Sequence, residues 1–500
     1  MSPAPKLYTG SHNLDDIPMT LRHPVFMFVL LASTSLAGCS VLGPDYRSTP
    51  PAAPAGWSRV GDAATVAHAD AVGDISRWWQ VFEDPLLSDL VEQALRANPD
   101  LASAQARLRE ARARRTVTAA GGFPEVDASG TARRVRSSET LGGGSTRNTF
   151  AAGFDASWEL DVFGGVRRSV EAAEADVQAS EANLGAAQVS LVAEVALDYV
   201  DVRAYQLRLA IARGNLTSQA ETLQLTDWRA QAGLVSRQDV EQARANLEQT
   251  RAQIPALESA LAAAEHRLAI LAGQAPGSLH ARLAAGTGLP QVPASIAVGI
   301  PADTLRQRPD VRAAERVLAA ETARLGVAEA ARYPAFRLSG SIGLEALTLG
   351  GLGEGGAGTH SLLAALAAPI FNAGRLRAQV EIQDAVRERA QATYQATVLT
   401  ALEDVENALV ALARSREREQ ALASGLDAAR NAAALARDRY SAGLIDFQAV
   451  LDTERSVLSL QDGLASTRAD GLAALVRLYK ALGGGWSPTT PTPTLAQDTP

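Results

Sequence analysis

The stretch Phe150-Ala-Ala-Gly-Phe-Asp-Ala-Ser-Trp-Glu-Leu-Asp161 decides how this chain folds. Its even positions, Phe150, Ala152, Phe154, Ala156, Trp158 and Leu160, are apolar. Its odd positions, Ala151, Gly153, Asp155, Ser157, Glu159 and Asp161, are small or polar. Successive side chains of a strand point to opposite faces, so strict alternation over roughly ten residues describes a strand with one apolar and one wet face, the pattern of a transmembrane β-barrel. Residues 126–136 alternate more weakly and offer a partner strand, with Glu125, Asp127, Ser129 and Thr131 on the wet side. Downstream, Phe336, Leu338, Ile342 and Leu344 oppose Arg337, Ser339, Ser341 and Glu345, and a last strand is expected around 362–370, apolar on both faces.

The second hairpin is the first one repeated. Asn98-Pro99-Asp100-Leu101 returns as Arg308-Pro309-Asp310-Val311, Phe123-Pro124 as Tyr333-Pro334, Ala232-Gly233-Leu234 as Ala442-Gly443-Leu444, and Gly273 as Gly483, each 210 residues on. Phe163 to Arg167 answers Phe371 to Arg375 at 208. Such a register implies an internal duplication. Residues 98–273 and 308–483 are the two repeats, joined by a linker at 274–307 and followed by a tail at 484–500. Each repeat reads as a helix, a hairpin and long helices. Pro99 opens a helix to residue 120. Val192, Val195, Tyr199 and Val202 step by 3, 4 and 3, and their counterparts Leu402, Val405, Leu409 and Leu412 are all apolar, the seam of a coiled-coil-like packing. The helical pattern runs from about 166 to 230, then from 237 to 271 with a bend expected at Pro255. The loops between strands are glycine-rich. Gly351, Gly353 and Gly356 spell G-x-G-x-x-G, but a strand follows where a nucleotide fingerprint needs a helix, so this is a flexible loop.

Composition narrows the function. The chain has 500 residues, 47% hydrophobic, which suits a folded protein, and a net charge of −8, which argues against nucleic acid as a partner. Lysine occurs only at Lys6 and Lys480, neither in a G-x-x-x-x-G-K-S/T loop, so the chain is not a P-loop ATPase. One cysteine excludes a disulfide framework, and the scattered histidines form no metal or catalytic motif. No enzyme activity, metal or cofactor is expected, apart from a covalent lipid.

That lipid belongs to the amino terminus. Arg22 and His23 precede an apolar run over 25–32 that ends in Leu36-Ala37-Gly38-Cys39. Residues 1–38 read as an export signal, with translation expected to start at Met19, and the lone Cys39 at its end is the expected lipidation site. Ser40 in place of aspartate favours delivery to the outer membrane. Residues 39–97 are expected as a lipid-anchored extended tether, followed by the Trp78-Trp79 packing cluster and a first helix. No later segment is apolar and long enough for a transmembrane helix, so a membrane span has to be made of strands.

The fold class is therefore mainly α, internally duplicated, with long helices plus four barrel strands per protomer. Four strands cannot close a barrel, so copies must share one. Leu36-Ala37-Gly38-Cys39, Gly43-Pro44-Asp45-Tyr46, Trp78-Trp79 with Phe82 and Asp84-Pro85, Arg308-Pro309-Asp310-Val311-Arg312-Ala313-Ala314-Glu315 and Leu482-Gly483-Gly484-Gly485-Trp486 together resemble the NodT branch of the outer-membrane efflux lipoproteins, related to TolC and OprM. The resemblance covers nearly the whole mature chain. It implies a homotrimer with a shared barrel in outer-membrane lipid and a helical periplasmic tunnel. It also implies a passive duct in a tripartite system with a periplasmic adaptor protein and an inner-membrane transporter, usually of the RND type.

On this reading the interhelical turns face the adaptor: Gly233, Leu234, Val235 and Ser236, and Gly443, Leu444, Ile445 and Asp446, with the four apolar residues as exposed docking points. The plain alternative is a simple turn with partly buried apolar residues. Tyr440, Asp452 and Arg455 match positions that close the tunnel in the resembled family. A ring of Asp452 carboxylates would repel itself unless Arg455 bridged it, making a switchable, cation-attracting constriction. The alternative is a solvated ion pair on a helix surface. A lipid-anchored periplasmic coiled-coil scaffold without a pore would explain the heptads and the anchor, but not the alternating hairpins.

Overall fold

The computed structural model of this chain describes residues 41–48, 53–58, 66–68, 75–286, 288–291, 296–298 and 301–487. The signal segment, Cys39 and the tail beyond 487 lie outside the described residues. In chain order the main elements are β1 (Val66–His68), α1 (Pro85–Ala97), α2 (Pro99–Ala120), β2 (Glu125–Arg136), β3 (Thr146–Leu160), α3 (Gly165–Gln231) and α4 (Arg237–Leu271). There follow β4 (Ile296–Val298), α5 (Pro309–Ala330), β5 (Ala335–Ala346), β6 (Gly358–Ala367), α6 (Arg375–Ser441) and α7 (Phe447–Ala481). The long helices match between repeats: α3 and α6 have 67 residues each, α4 and α7 have 35. A 67-residue helix is about 100 Å long. The chain divides into two compact units.

The first unit holds an antiparallel sheet in the order β2-β3-β5-β6. Its register turns the alternation of the sequence into two faces. Phe154 pairs with Ile342 and Ala128, and Trp158 with Leu338, on the apolar face. Asp155 pairs with Ser341 and Asp127 on the polar one. Side-chain bonds on the polar face confirm the sorting: Ser129 donates to Asp155 at 2.8 Å, Ser341 and Ser361 lie 2.8 Å apart, and Arg337 faces Glu159 at 3.6 Å. The last strand is displaced from its expected range, starting at Gly358 and stopping at Ala367. Pro369, which lacks the N–H a ladder needs, follows two residues later and leaves Ile370 outside. Within this unit the expected tether is held down where it is described. Buried Arg168 donates to the carbonyls of Leu42 at 2.9 Å and Gly43 at 3.1 Å, and pairs with Asp45 at 2.7 Å. Gly43 has φ +88°, and a Cβ there would sit 2.4 Å from the Gly326 Cα, so glycine is required on both counts.

The second unit is helical, with a core of Trp78, Trp79, Phe82, Leu87, Leu90 and the seam itself. Val192, Val195, Tyr199, Val202, Val405, Leu409 and Leu412 are all buried there, and Leu402 packs against them. Trp78 stacks on Tyr479 with ring centroids 5.2 Å apart, so the tryptophan pair is packing. Helix α4 is continuous through Pro255. One element has no periodic signal in the sequence: β1 and β4, three residues each, pair in parallel.

The repeats differ in how they pin the start of their first helix. Asn98 caps α2 through bonds from the amides of Asp100 and Leu101, and its amide donates to the Leu271 carbonyl at 3.0 Å. Arg308 at the equivalent place donates to the Ala481 carbonyl at 3.1 Å and adds ion pairs to Asp310 at 2.6 Å and Asp404 at 3.0 Å. A buried guanidinium thus joins three helices of the second repeat. Arg308→Ala should lower stability by about 3 kcal/mol, since it strands two carboxylates and a carbonyl. Arg308→Lys should recover only part of this, because one ammonium cannot match a planar fork. Thermal unfolding in detergent, followed by circular dichroism, checks both.

Candidate functional site: the paired interhelical turns

Each long helix ends in a turn of the same design. Gly233 and Gly443 both have φ +74°, and no neighbour crowds either position, so it is the backbone angle that calls for glycine. The amides of Leu234 and Leu444 reach back to the carbonyls of Arg229 and Arg439, at 2.8 and 2.9 Å, closing the helix ends in a Schellman-like pattern. The next helices start with caps. Ser236 accepts from the Asp239 amide at 3.2 Å while Asp239 accepts from the Ser236 amide at 3.1 Å, and Asp446 accepts from the Ala449 amide at 3.1 Å. Ser236 and Asp446 therefore serve the turn itself.

The four apolar turn residues divide into two pairs. Leu234 and Leu444 are 67% and 73% exposed. Val235 and Ile445, expected as docking points, instead pack against a small core of Ala243, Ala436, Tyr440, Phe447, Val450 and Leu451. The reason is geometric: the residue after the glycine points outward, and the one before the cap closes over the helix end, as in a hydrophobic staple. That core takes residues from α4, α6 and α7 and from both turns, so the two helical hairpins end as one packed body.

The three residues expected at a constriction lie in three different surroundings within the single chain. Tyr440 is buried, with its ring centroid 5.3 Å from that of Phe447 and the Arg229 guanidinium 4.4 Å above it. Burial pushes its phenol above the ordinary value. Asp452 is exposed and accepts from Gln448 at 2.9 Å. Arg455 does not pair with Asp452; it donates to Asn246 of α4 at 3.2 Å. The polar side chain across the hairpin draws the guanidinium inward, so Asp452 has no ion-pair partner among the described residues.

One residue of this region escaped the sequence reading. Glu454 is buried on α7, accepting from Thr222 of α3 at 2.9 Å with Arg437 of α6 at 3.6 Å. Burial pushes its carboxyl above the ordinary value, and the Thr222 hydroxyl and Arg437 offset this only in part. The signal was available: Phe447, Val450 and Leu451 set a seam whose next position is 454, so a carboxylate stands where the period calls for an apolar residue. Among the described residues no cluster of histidine, cysteine and acidic side chains could hold a metal ion.

This chain matches the family model described as outer membrane efflux protein over residues 90–274 and 300–484. It is similar to nodulation protein T of Rhizobium leguminosarum bv. trifolii, at 35% identity over 91% of this chain and 96% of that protein. It is also similar to the toluene efflux pump outer membrane protein TtgF of Pseudomonas putida, at 33% identity over 93% of this chain and 98% of that one. Among solved structures, the outer-membrane channel OprN superposes with a TM-score of 0.84 at 38% identity, covering 89% of this chain and 99% of that one. With both repeats matched by the family and relatives aligned nearly end to end, the chain belongs to the outer membrane efflux protein family.

Proposed function

We propose that this protein is the outer-membrane exit duct of a tripartite efflux system, passively conducting small molecules handed over by a periplasmic adaptor and an inner-membrane transporter, of the RND type. The observation that carries this reading is the sheet. Its apolar face presents Phe154, Ile342 and Leu362 to the outside, its other face carries Ser129, Asp155 and Glu159, and β2 and β6 are both edges. A lipid-facing sheet needs every edge amide paired, so copies of the chain close one barrel, as a homotrimer in the resembled family. The wet face then lines the conduit. Cys39 carries the lipid that anchors the assembly in the outer membrane, and Leu234 and Leu444 are the apolar points that the adaptor covers. Asp452, with no ion-pair partner among the described residues, forms the narrowest ring with its two symmetry mates, and mutual repulsion sets how tightly the ring can close.

Three measurements test the reading. In planar bilayers the purified protein should give small conductance steps, and Asp452→Ala should enlarge them; absence of steps from folded protein rules the duct out. Gly343→Val should abolish the detergent-resistant oligomer, because a Cβ at Gly343 would lie 2.7 Å from the Ala152 carbonyl oxygen and 3.0 Å from the Gly153 Cα, in the middle of the sheet. Cys39→Ser should eliminate palmitate labelling in cells while leaving the conductance of the purified protein unchanged.

A further inference from the structure

Around Glu454 the hairpins are held together by polar groups. Thr222 of α3 and Arg437 of α6 meet Glu454 of α7, Asn246 of α4 meets Arg455 of α7, and Gln219 lies buried on α3 one turn before Thr222. Several of these groups are under-satisfied: one carboxylate oxygen of Glu454, the Asn246 amide nitrogen and the Gln219 carbonyl oxygen are buried without a hydrogen-bond partner. An orphaned buried polar atom is costly, so this packing stands above its best attainable energy.

The Thr222 hydroxyl shows where the deficit lies. It lies 2.9 Å from Glu454 and 3.1 Å from the Ser218 carbonyl, yet it has one proton to give. With an ionised Glu454, both acceptors compete for that proton. With a protonated Glu454 the conflict ends: the carboxyl donates to the Thr222 oxygen and Thr222 donates to Ser218. The charged group facing Glu454 is Arg437 of α6; α3 presents the neutral Thr222, and Asn246 of α4 is engaged by Arg455.

We propose that Glu454 is a positioning residue for the inner end of the duct, a carboxyl that locks α7 onto α3 when protonated and loosens that contact when ionised. This rests on the duct reading above. The sign follows from burial, which favours the neutral acid in the packed arrangement. Packing is therefore tightest at low pH and weakens as pH rises from the ordinary carboxyl range through the raised value. Acid narrows the inner end, and neutral to alkaline conditions free it to move.

The test uses the full-length protein in detergent and in planar bilayers, as wild type, Glu454→Gln and Thr222→Val. Glutamine keeps the size and a donor but cannot titrate. In the wild type, amide protection over residues 437–455 should fall by about tenfold for each pH unit by which burial raises the carboxyl, and conductance should rise over the same range. Glu454→Gln should hold the protection and the small conductance of the acidic wild type throughout. Thr222→Val, lacking the oxygen that accepts the carboxyl proton, should lose the extra protection that the wild type gains at low pH. A wild type without pH dependence, or a Glu454→Gln variant that keeps it, overturns the proposal. Loss of the protection response in Glu454→Gln, with no conductance from any folded variant, sustains the latch and instead removes the duct.

Discussion

The outer edges of β2 and β6 set the requirement that the rest of the molecule has to meet. Each carries a row of backbone N–H and C=O groups, and in hydrocarbon each unpaired group costs several kcal/mol. Water could satisfy them, but the same strands turn Phe154, Ile342 and Leu362 outward, a face that water does not favour. On the duct reading proposed above, both demands are met where the apolar face meets lipid and the β2 edge of one copy meets the β6 edge of the next. Close packing of the middle strands serves this end: Gly153 faces Gly343 directly, and side chains at either place would press into the opposite backbone. A sheet that can approach itself so closely can also bend, as a closed barrel demands.

Duplication supplied the frame, and divergence supplied the specialised parts. The helices and turns of the repeats coincide residue for residue, down to the same glycine angle at Gly233 and Gly443. What differs is side-chain chemistry at equivalent places. Asn98 faces one helix end with an amide, Arg308 the other with a guanidinium and two carboxylates. Tyr199 uses its hydroxyl to bind Asp84 and receives Arg203, a buried cation that also donates to the Gln206 side chain and to the carbonyls of Leu283 and Gly286. Its counterpart Leu409 only packs. Gln242 stands where the second repeat has Asp452, and the exposed Arg244 where it has Glu454. The carboxylates at these two places thus belong to α7 and not to α4, which makes α7 electrostatically distinct within a frame of equal lengths.

Much of this was legible in the sequence because it is periodic. Alternation at 150–160 gave the strand, its faces and its partner at 126–136, though not its pairing with β5, and the 3-4-3 seam gave the buried face of α3 and α6. Glycine and a capping residue marked both turns. Features that depend on one contact between distant segments left no periodic trace. Three-residue strands such as β1 and β4 are too short to show a period, and the docking of Gly43 onto Gly326 depends on an approach that no local pattern encodes. At the site the turn residues could be located, but not sorted. Whether Val235 faces outward or inward is fixed by the cap at Ser236, and Arg455 turns from Asp452 because Asn246 offers a closer acceptor.

The helical unit is unevenly satisfied along its length, and this bears on how one set of helices can be both rigid and movable. Around Val192, Tyr199, Val405 and Leu409 the seam is apolar and buried, and any sliding would open cavities at a cost of roughly 2–5 kcal/mol for each large side chain displaced. Around Gln219, Asn246 and Glu454 the same helices meet through polar groups, some without partners. Repacking there exchanges one incomplete set of hydrogen bonds for another and exposes orphaned atoms to water, which lowers its cost. Motion along α6 and α7 is therefore cheapest near the turns and dearest at the apolar seam, so any opening of the proposed duct would cost least at the end that carries Asp452.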